Sequence, residues 1–269
     1  MEKFLHMQKL LGFARRAIDD YGMISSGDRI AVGVSGGKDS LTLLAALRGL
    51  QKFYPAEFEI VPITLDMGFD GGDTCAPAEL CRRLELEHTV VKTDIYRIVF
   101  EIRKCDSPCS LCAKLRRGAL HDAALANGCS KVALGHHFDD AVETFMLNLF
   151  NEGRIGCFAP VTYLDRKKVT VIRPLQYMPE HFARRFVEDN NIAVAPKICP
   201  ADGYTDRERI KQMLAKLEAE DHGLKSRLFG AMERAEVNGF TTHMRSVRRS
   251  GSDVKDTGKY READDTNES

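Results

Sequence analysis

The stretch Val34-Ser35-Gly36-Gly37-Lys38-Asp39-Ser40-Leu41 lies between two segments of different periodicity, and that placement limits what the chain can become. Before it, Arg29-Ile30-Ala31-Val32-Gly33-Val34 reads as a buried strand. After it, Leu41, Leu43, Leu44, Leu47 and Leu50 recur at helical spacing. A glycine turn from strand to helix gathers bare N–H groups and the positive end of the helix dipole at one point. That is an anion site, and for this arrangement the usual anion is a phosphate.

The same alternation runs on through the chain. Phe4 to Tyr21 is expected to form an amphipathic helix, with Leu5, Leu10, Phe13, Ala17 and Ile18 toward the core. Strands are expected at Phe58 to Leu65, His88 to Thr93, Lys131 to Gly135 and Val169 to Arg173. Helices are expected at Pro77 to Leu86, from Cys112 to about Asn127, at Asp139 to Asn151 and at Glu180 to Asp189. Asp206 to Ala235 carries one or two more. This order predicts an α/β fold: a doubly wound, mostly parallel five-stranded sheet with an N-terminal helix and a C-terminal helical extension. Ligands of such sheets sit at the carboxyl ends of the strands. Three groups of informative residues fall there: the glycine loop, Asp66 after the second strand, and Gly135-His136-His137-Phe138-Asp139-Asp140 after the fourth.

The common phosphate loop does not fit, because Val32 stands where its first glycine belongs and Asp39 where its Ser/Thr belongs. The dinucleotide fingerprint fails at Ser35. Ser35-Gly36-Gly37-Lys38-Asp39-Ser40 instead resembles the PP-loop of the ATP pyrophosphatases, which cleave ATP between the α and β phosphates and transfer AMP to an oxygen. On that resemblance Gly36 and Gly37 close around phosphate oxygens, Lys38 adds a point charge, and Ser35 and Ser40 offer hydroxyls. Asp39 beside an anion is read as holding Mg²⁺ or orienting its neighbours. Asp140, and with it Asp139, serves metal or nucleotide, or caps the following helix. His136 and His137 are read either as acid/base groups or as hydrogen-bonded structural residues.

Cys109-Ser110-Leu111-Cys112 runs into Ala113-Lys114-Leu115-Arg116-Arg117-Gly118. A lone CxxC is a redox pair, half a zinc site, or a pair of cluster ligands. No second CxxC completes a zinc site, and Cys199 is a third loop cysteine after the fifth strand. Three thiolates on a [4Fe–4S] cluster leave one iron open. Cys105 adds the spacing of a radical-SAM cluster, but that motif belongs at the mouth of a barrel. Cys75, Cys81, Cys129 and Cys157 are read as core or incidental.

Together, Ser35 to Ser40, Cys109 to Gly118, Gly135-His136-His137 with Asp139-Asp140, Ile172-Arg173-Pro174-Leu175 and Cys199 resemble the TtcA-type tRNA-2-thiocytidine synthetases. The resemblance implies a PP-loop ATP pyrophosphatase (adenine nucleotide alpha hydrolase-like) fold and an ATP-dependent tRNA sulfurtransferase. ATP adenylates the C2 oxygen of a tRNA pyrimidine, the anticodon-loop cytidine, and sulfur delivered on the cluster replaces it. Cys109, Cys112 and Cys199 are then the cluster ligands. Ser35, Gly36, Gly37, Lys38, Asp39, Ser40, Leu65, Asp66, Gly135, His136 and Asp140 surround ATP and Mg²⁺, with Asp39, Arg116 and Asp140 in catalytic roles. The implied partners are tRNA, a sulfur donor (a cysteine desulfurase or sulfide) and a second copy of the chain. Two positions depart from the family pattern: Pro196 stands where a further cysteine is usual, and Pro200 replaces a glycine. Another PP-loop tRNA enzyme, for 2-thiouridine synthesis or of the lysidine synthetase kind, and a non-catalytic nucleotide- and metal-binding module are the competing readings. Lysidine synthetase gives no reason for Cys109, Cys112 and Cys199, and a binding module gives none for combining an ATP-cleaving loop with an open cluster.

With 269 residues, the chain divides into an N-terminal helical segment (1–27), a PP-loop domain carrying the cysteines (28–200), C-terminal helices (201–245) and a polar tail (246–269) expected to be disordered. Thirty-nine basic and thirty-nine acidic residues cancel. Basic groups nonetheless gather at Arg82-Arg83, Lys114 to Arg117, Arg166 to Lys168, Arg184-Arg185 and Arg245 to Arg249. A neutral total therefore coexists with a basic face. No apolar run is long enough for a bilayer and the N-terminus lacks the pattern of a secretory signal, so a cytoplasmic location is expected, with the eight cysteines reduced.

Overall fold

The computed structural model describes residues 3–69, 74–103, 108–196, 198–199 and 206–241. Among the described residues six strands form one sheet: β1 (Asp28–Gly33), β2 (Phe58–Asp66), β3 (Thr89–Lys92), β4 (Lys131–Ala133), β5 (Val161–Leu164) and β6 (Val169–Ile172). Their spatial order is β3-β2-β1-β4-β6-β5, parallel throughout except for β5, which runs antiparallel to β6. β1 is the central strand, with Ile30 paired to Ile60 on one side and to Lys131 on the other. Its Ile30, Ala31 and Val32 are fully buried, as a strand covered on both faces requires.

The described residues form eight α-helices around the sheet: α1 (Met7–Tyr21), α2 (Lys38–Leu50), α3 (Cys75–Arg83), α4 (Pro108–Ala126), α5 (Phe138–Asn151), α6 (Glu180–Asp189), and α7 (Asp206–Glu220) and α8 (Leu224–Arg234), which pack on α5. One face holds the main core, where Leu10, Ile18, Leu41, Leu44, Leu47, Phe186 and Phe240 interdigitate. The other holds a smaller core in which α4 lays Leu120 and Ala124 on Ala31, Ile63, Val132 and Val169. The leucines foreseen after the glycine loop are all fully buried in α2. The polar Thr42 among them satisfies its hydroxyl by donating to the Lys38 carbonyl at 2.7 Å.

The chain winds from β1 outward to β3, then crosses back to β4 on the other side of β1. That reversal opens a crevice between the carboxyl ends of β1 and β4, the place where doubly wound sheets bind ligands. Both conspicuous motifs open there, Ser35 to Ser40 after β1 and Gly135 to Asp140 after β4.

Several expectations need correction. The mostly parallel doubly wound sheet is present with six strands rather than five. The additional β5 is short and joins β6 through a tight hairpin in which the Lys168 N–H donates to the Leu164 carbonyl at 2.8 Å and Lys168 takes φ 53°. Helix α1 starts at Met7, because His6 sits in the left-handed region; Phe4 is still buried, stacked on Phe186. The segment entering α4 is not a loop as far as Cys112. The helix already runs from Pro108, which suits a first helical position because proline has no N–H to leave unpaired. Arg97–Arg103 forms a π-helical turn that no periodicity announced. The turn expected at Gly71 to Asp73, Cys105, Pro200, the basic run Arg245 to Arg249 and the tail 246–269 lie outside the described residues. Among the described residues no helix is long and apolar enough to cross a membrane.

Candidate active site

The loop after β1 is held from inside. The Ser35 N–H donates to Ser40 Oγ at 3.1 Å, the two hydroxyls lie 3.2 Å apart, and Ser40 donates to the Gly37 carbonyl at 2.9 Å. Gly36 has φ 81°, which L side chains rarely adopt, and a Cβ there would stand 2.6 Å from the Cβ of Ala195. Gly37 caps α2 without a side-chain hydrogen bond, so the first N–H groups of a buried helix face the crevice. Across the crevice, a Cβ on Gly135 would lie 2.9 to 3.0 Å from backbone atoms of Asp39 and Ser40. The exit of β4 therefore rests directly on the first turn of α2.

Lys38 and Asp39 face each other, Nζ to Oδ2 at 2.9 Å. Burial would lower the Lys38 pKa, but Asp39 and then Glu180 outweigh it and raise the value above the ordinary one. Asp39 Oδ1 is buried and accepts no hydrogen bond; His137 Nε2 lies 3.6 Å from it. A buried carboxylate oxygen without a donor is an open ligand position for a hard cation. Next to it, His137 and Asp140 form a reciprocal cap on α5: the His137 N–H donates to Asp140 Oδ2 at 2.9 Å and the Asp140 N–H to His137 Nδ1 at 3.3 Å. The capping reading thus applies to Asp140 and leaves Oδ1 facing Arg207 at 3.5 Å. Asp139 turns away, accepting from the Glu180 N–H at 2.8 Å and from Lys225 at 2.7 Å.

His136 is tucked against Phe158, ring centroids 4.9 Å apart, with Nδ1 buried and unpartnered. Burial, reinforced by Arg173, Arg207, His137 and Arg117, lowers its pKa to about 3. It is a neutral imidazole at physiological pH, so it does not act there as a general acid. Leu65 and Asp66 end β2 beside the loop. Leu65 packs into the smaller core and Asp66 Oδ1 accepts from the Gly68 N–H at 3.0 Å, so both shape the strand end.

Cys109 and Cys112 sit three residues apart in the first turn of α4, on one helix face, Cys109 exposed and Cys112 half-buried. Burial raises the Cys112 thiol pKa; Arg116 opposes this, while Cys199 and Cys109 add to it. The three thiols and Arg116 therefore occupy one electrostatic neighbourhood. Among the described residues no three His, Cys, Asp or Glu side chains converge on a point fit for a single metal ion. A cuboidal cluster puts each thiolate on a different iron, so its ligands stand further apart than those of one ion, and three thiols with a cation beside them fit it. Cys81, Cys129 and Cys157 are buried, with thiol pKa values raised by burial, to about 11 for Cys81 and about 12 for Cys157; they are inert core residues.

The two halves of the site are joined by the segment before Cys199. The Ala195 N–H donates to the Gly36 carbonyl at 2.9 Å. Sequence reasoning did not foresee this contact, nor Glu180, Arg207, Lys211 and Lys225, because all of them act through the fold. Only Glu180 left a trace, as an acidic first residue of α6 after Pro179.

Comparison with known proteins agrees with this geometry. Residues 9–218 match the PP-loop domain family. A tRNA-cytidine(32) 2-sulfurtransferase of Geobacter sulfurreducens is 42% identical over 231 residues, covering 85% of this chain and 90% of the relative. Another from Geotalea uraniireducens is 43% identical over 224 residues, covering 82% and 89%. Among solved structures, the U34-tRNA thiolase NcsA from Methanococcus maripaludis with its [4Fe-4S] cluster superposes with a TM-score of 0.71. That match covers 85% of this chain and 79% of the other, at 23% identity, a likeness of fold.

Proposed function

Because the chain belongs to the PP-loop family, and within it to the tRNA-cytidine(32) 2-sulfurtransferases, we propose that it replaces the C2 oxygen of an anticodon-loop cytidine in tRNA with sulfur at the expense of ATP. The observation that carries this reading is the juxtaposition of a PP-loop with a three-cysteine neighbourhood through Gly36 and Ala195. Cys199 follows Ala195 by four positions, at most about 14 Å of chain.

The phosphates of ATP fit the N-terminus of α2, where free N–H groups, Lys38 and the hydroxyls of Ser35 and Ser40 converge. Asp39 Oδ1 and Asp140 would hold Mg²⁺, which would supply charge neutralisation at the phosphates. With the α-phosphate fixed, attack by the cytidine C2 oxygen breaks the α–β bond and releases pyrophosphate. Lys38 and the helix end stabilise the charge that develops. The base now carries AMP as a leaving group, and displacement of AMP by sulfur at C2 completes the exchange.

Cys109, Cys112 and Cys199 would hold a [4Fe–4S] cluster, which would supply the sulfur. Arg116 offers positive charge beside those thiolates, and Arg117 contributes to the field at His136, so α4 spans cluster and nucleotide sides. A homodimer and a sulfur donor, either a cysteine desulfurase or sulfide, belong to the same reading. Anaerobic purification with iron and sulfide analysis tests it, followed by nucleoside mass spectrometry of tRNA from a strain lacking the protein. The expected results are cluster-bearing protein and the absence of 2-thiocytidine; loss of lysidine, or of no nucleoside, would point elsewhere.

A further inference from the structure

Glu180 opens α6 and its carboxylate is claimed from two directions. Lys38 Nζ of the PP-loop lies 3.1 Å from Oε1, and Lys211 Nζ of α7 lies 2.7 Å from both carboxylate oxygens. Arg184, one turn further along α6, reaches Oε1 only at 3.9 Å. Burial opposes ionisation of Glu180, but hydrogen bonding from Lys211 and the charge of Lys38 overcome it and hold the carboxyl at about 2. Glu180 is therefore anionic at every working pH. Its backbone is fixed as well, since its N–H donates to Asp139 Oδ2, whose other oxygen is taken by Lys225 of α8.

We propose that Glu180 is a positioning residue for Lys38, and that Lys211 competes with Lys38 for it, so that the C-terminal helices set how freely Lys38 meets the phosphates of ATP. The inference rests on the reading of Ser35 to Ser40 as the ATP loop. One carboxylate does not satisfy two ammonium groups equally once a polyphosphate is offered to one of them. As ATP draws Lys38 away, Lys211 keeps Glu180 from being left as an uncompensated half-buried charge. In this scheme α7 lowers the cost of releasing Lys38 without touching the nucleotide.

The scheme predicts effects of opposite sign from two neutralising substitutions. Glu180→Gln removes one of the two carboxylates, with Asp39, that rival the phosphates for Lys38, and tightens MgATP binding. Lys211→Met leaves Glu180 to Lys38 and weakens it. Each effect is expected at roughly three- to tenfold in Kd, the range of a partly exposed charge pair in competition. Lys211 is also a cation in its own right, and the double variant separates the two roles. If Lys211 acts through Glu180, Lys211→Met has no effect in the Glu180→Gln background; if it acts directly on ATP, the loss persists.

The measurement is equilibrium binding of MgATP to the full-length, anaerobically prepared protein without tRNA, with thermal unfolding confirming that each variant is folded. Tighter binding in Glu180→Gln, weaker binding in Lys211→Met and a Lys211→Met effect that vanishes in the double variant are the expected results. Weakened or unchanged binding in Glu180→Gln overturns the competition, as does an additive double variant. Should Glu180→Gln fail to fold, Glu180→Ala takes its place in the single and double variants, and an unchanged Kd in Lys211→Met still overturns the inference. A wild-type protein that binds no MgATP overturns the ATP-loop reading and this inference with it. A wild type that binds while the variants misbehave overturns the inference alone.

Discussion

Ala195 donates its backbone N–H to the carbonyl of Gly36 at 2.9 Å, and its Cβ fills the space that a side chain on Gly36 would need. The turn that offers N–H groups to phosphate and the segment that ends in Cys199 thus share one hydrogen bond. The two segments are joined through backbone, which substitution of surface side chains cannot undo.

Gly36→Ala is expected to disturb both halves at once. The new Cβ meets Ala195 at 2.6 Å in a backbone conformation with φ 81°. Relief requires moving the loop or the segment leading to Cys199, at a cost of about 1–3 kcal/mol. ATP affinity and iron content should both fall, as titration and metal analysis of the purified variant would reveal. Loss of one with the other intact would mean that the two sites are mechanically independent.

Gly135→Ala drives a methyl group against the backbone of Asp39 and Ser40. Backbone cannot swing aside as a side chain can, so a loss of about 2 kcal/mol of stability and of most ATP binding is expected. Gly118→Ala serves as the control. It lies inside α4 with nothing within 4 Å of its Cβ position, and it should raise stability by about 0.5–1 kcal/mol. Thermal melts of the two variants, run side by side, check both signs.

Cys109→Ala, Cys112→Ala and Cys199→Ala should each lose thiolation and iron while still binding ATP. Cys129→Ala, in the smaller core, should keep iron and lose only about 1–2 kcal/mol of stability. A Cys199→Ala protein with full iron and activity would show that the third ligand is misassigned.

Glu143, buried on α5, has a carboxyl pKa raised to about 7 by burial and by Asp140, against the pull of Lys211 and Arg207; Asp139 adds to the rise. Below about pH 4.5 the group is protonated folded or unfolded and has no effect on stability. As pH rises from 4.5 through 7 the unfolded chain releases the proton first, and the folded state is penalised by up to about 2–3 kcal/mol. Glu143→Gln should therefore match the wild type near pH 4.5 and melt higher at pH 8. Equal melting temperatures at pH 8 would mean that Arg207, 3.9 Å from Glu143, already compensates the charge.

Much of this was legible in the sequence because it is local. The run Ile30 to Val34, the buried leucines of α2 and the glycines of the loop each state their conformation within a few residues. The CxxC motif was legible as chemistry, though its place inside α4 was not, because a proline before a cysteine pair reads as loop until the helix behind it is seen. β5 escaped notice for a different reason: four residues with mixed burial give too short a pattern, and only pairing with β6 makes them a strand. The network of Glu180 with Lys38 and Lys211 was illegible in principle. Its members lie far apart along the chain; Lys38 reads only as a phosphate contact, and Glu180 and Lys211 each alone look like ordinary solvated charges.

The central claim is that the phosphate loop and the three cysteines serve one reaction on one base. Its most direct test is to incubate anaerobically reconstituted protein with tRNA lacking the modification, MgATP and sulfide, then digest the tRNA and analyse its nucleosides by mass spectrometry. The account predicts 2-thiocytidine at position 32, with AMP and pyrophosphate released alongside it and none of the three when Lys38 is replaced by Met. Cluster-loaded protein that consumes ATP yet leaves the cytidine unthiolated, or thiolation that proceeds without ATP, would contradict it.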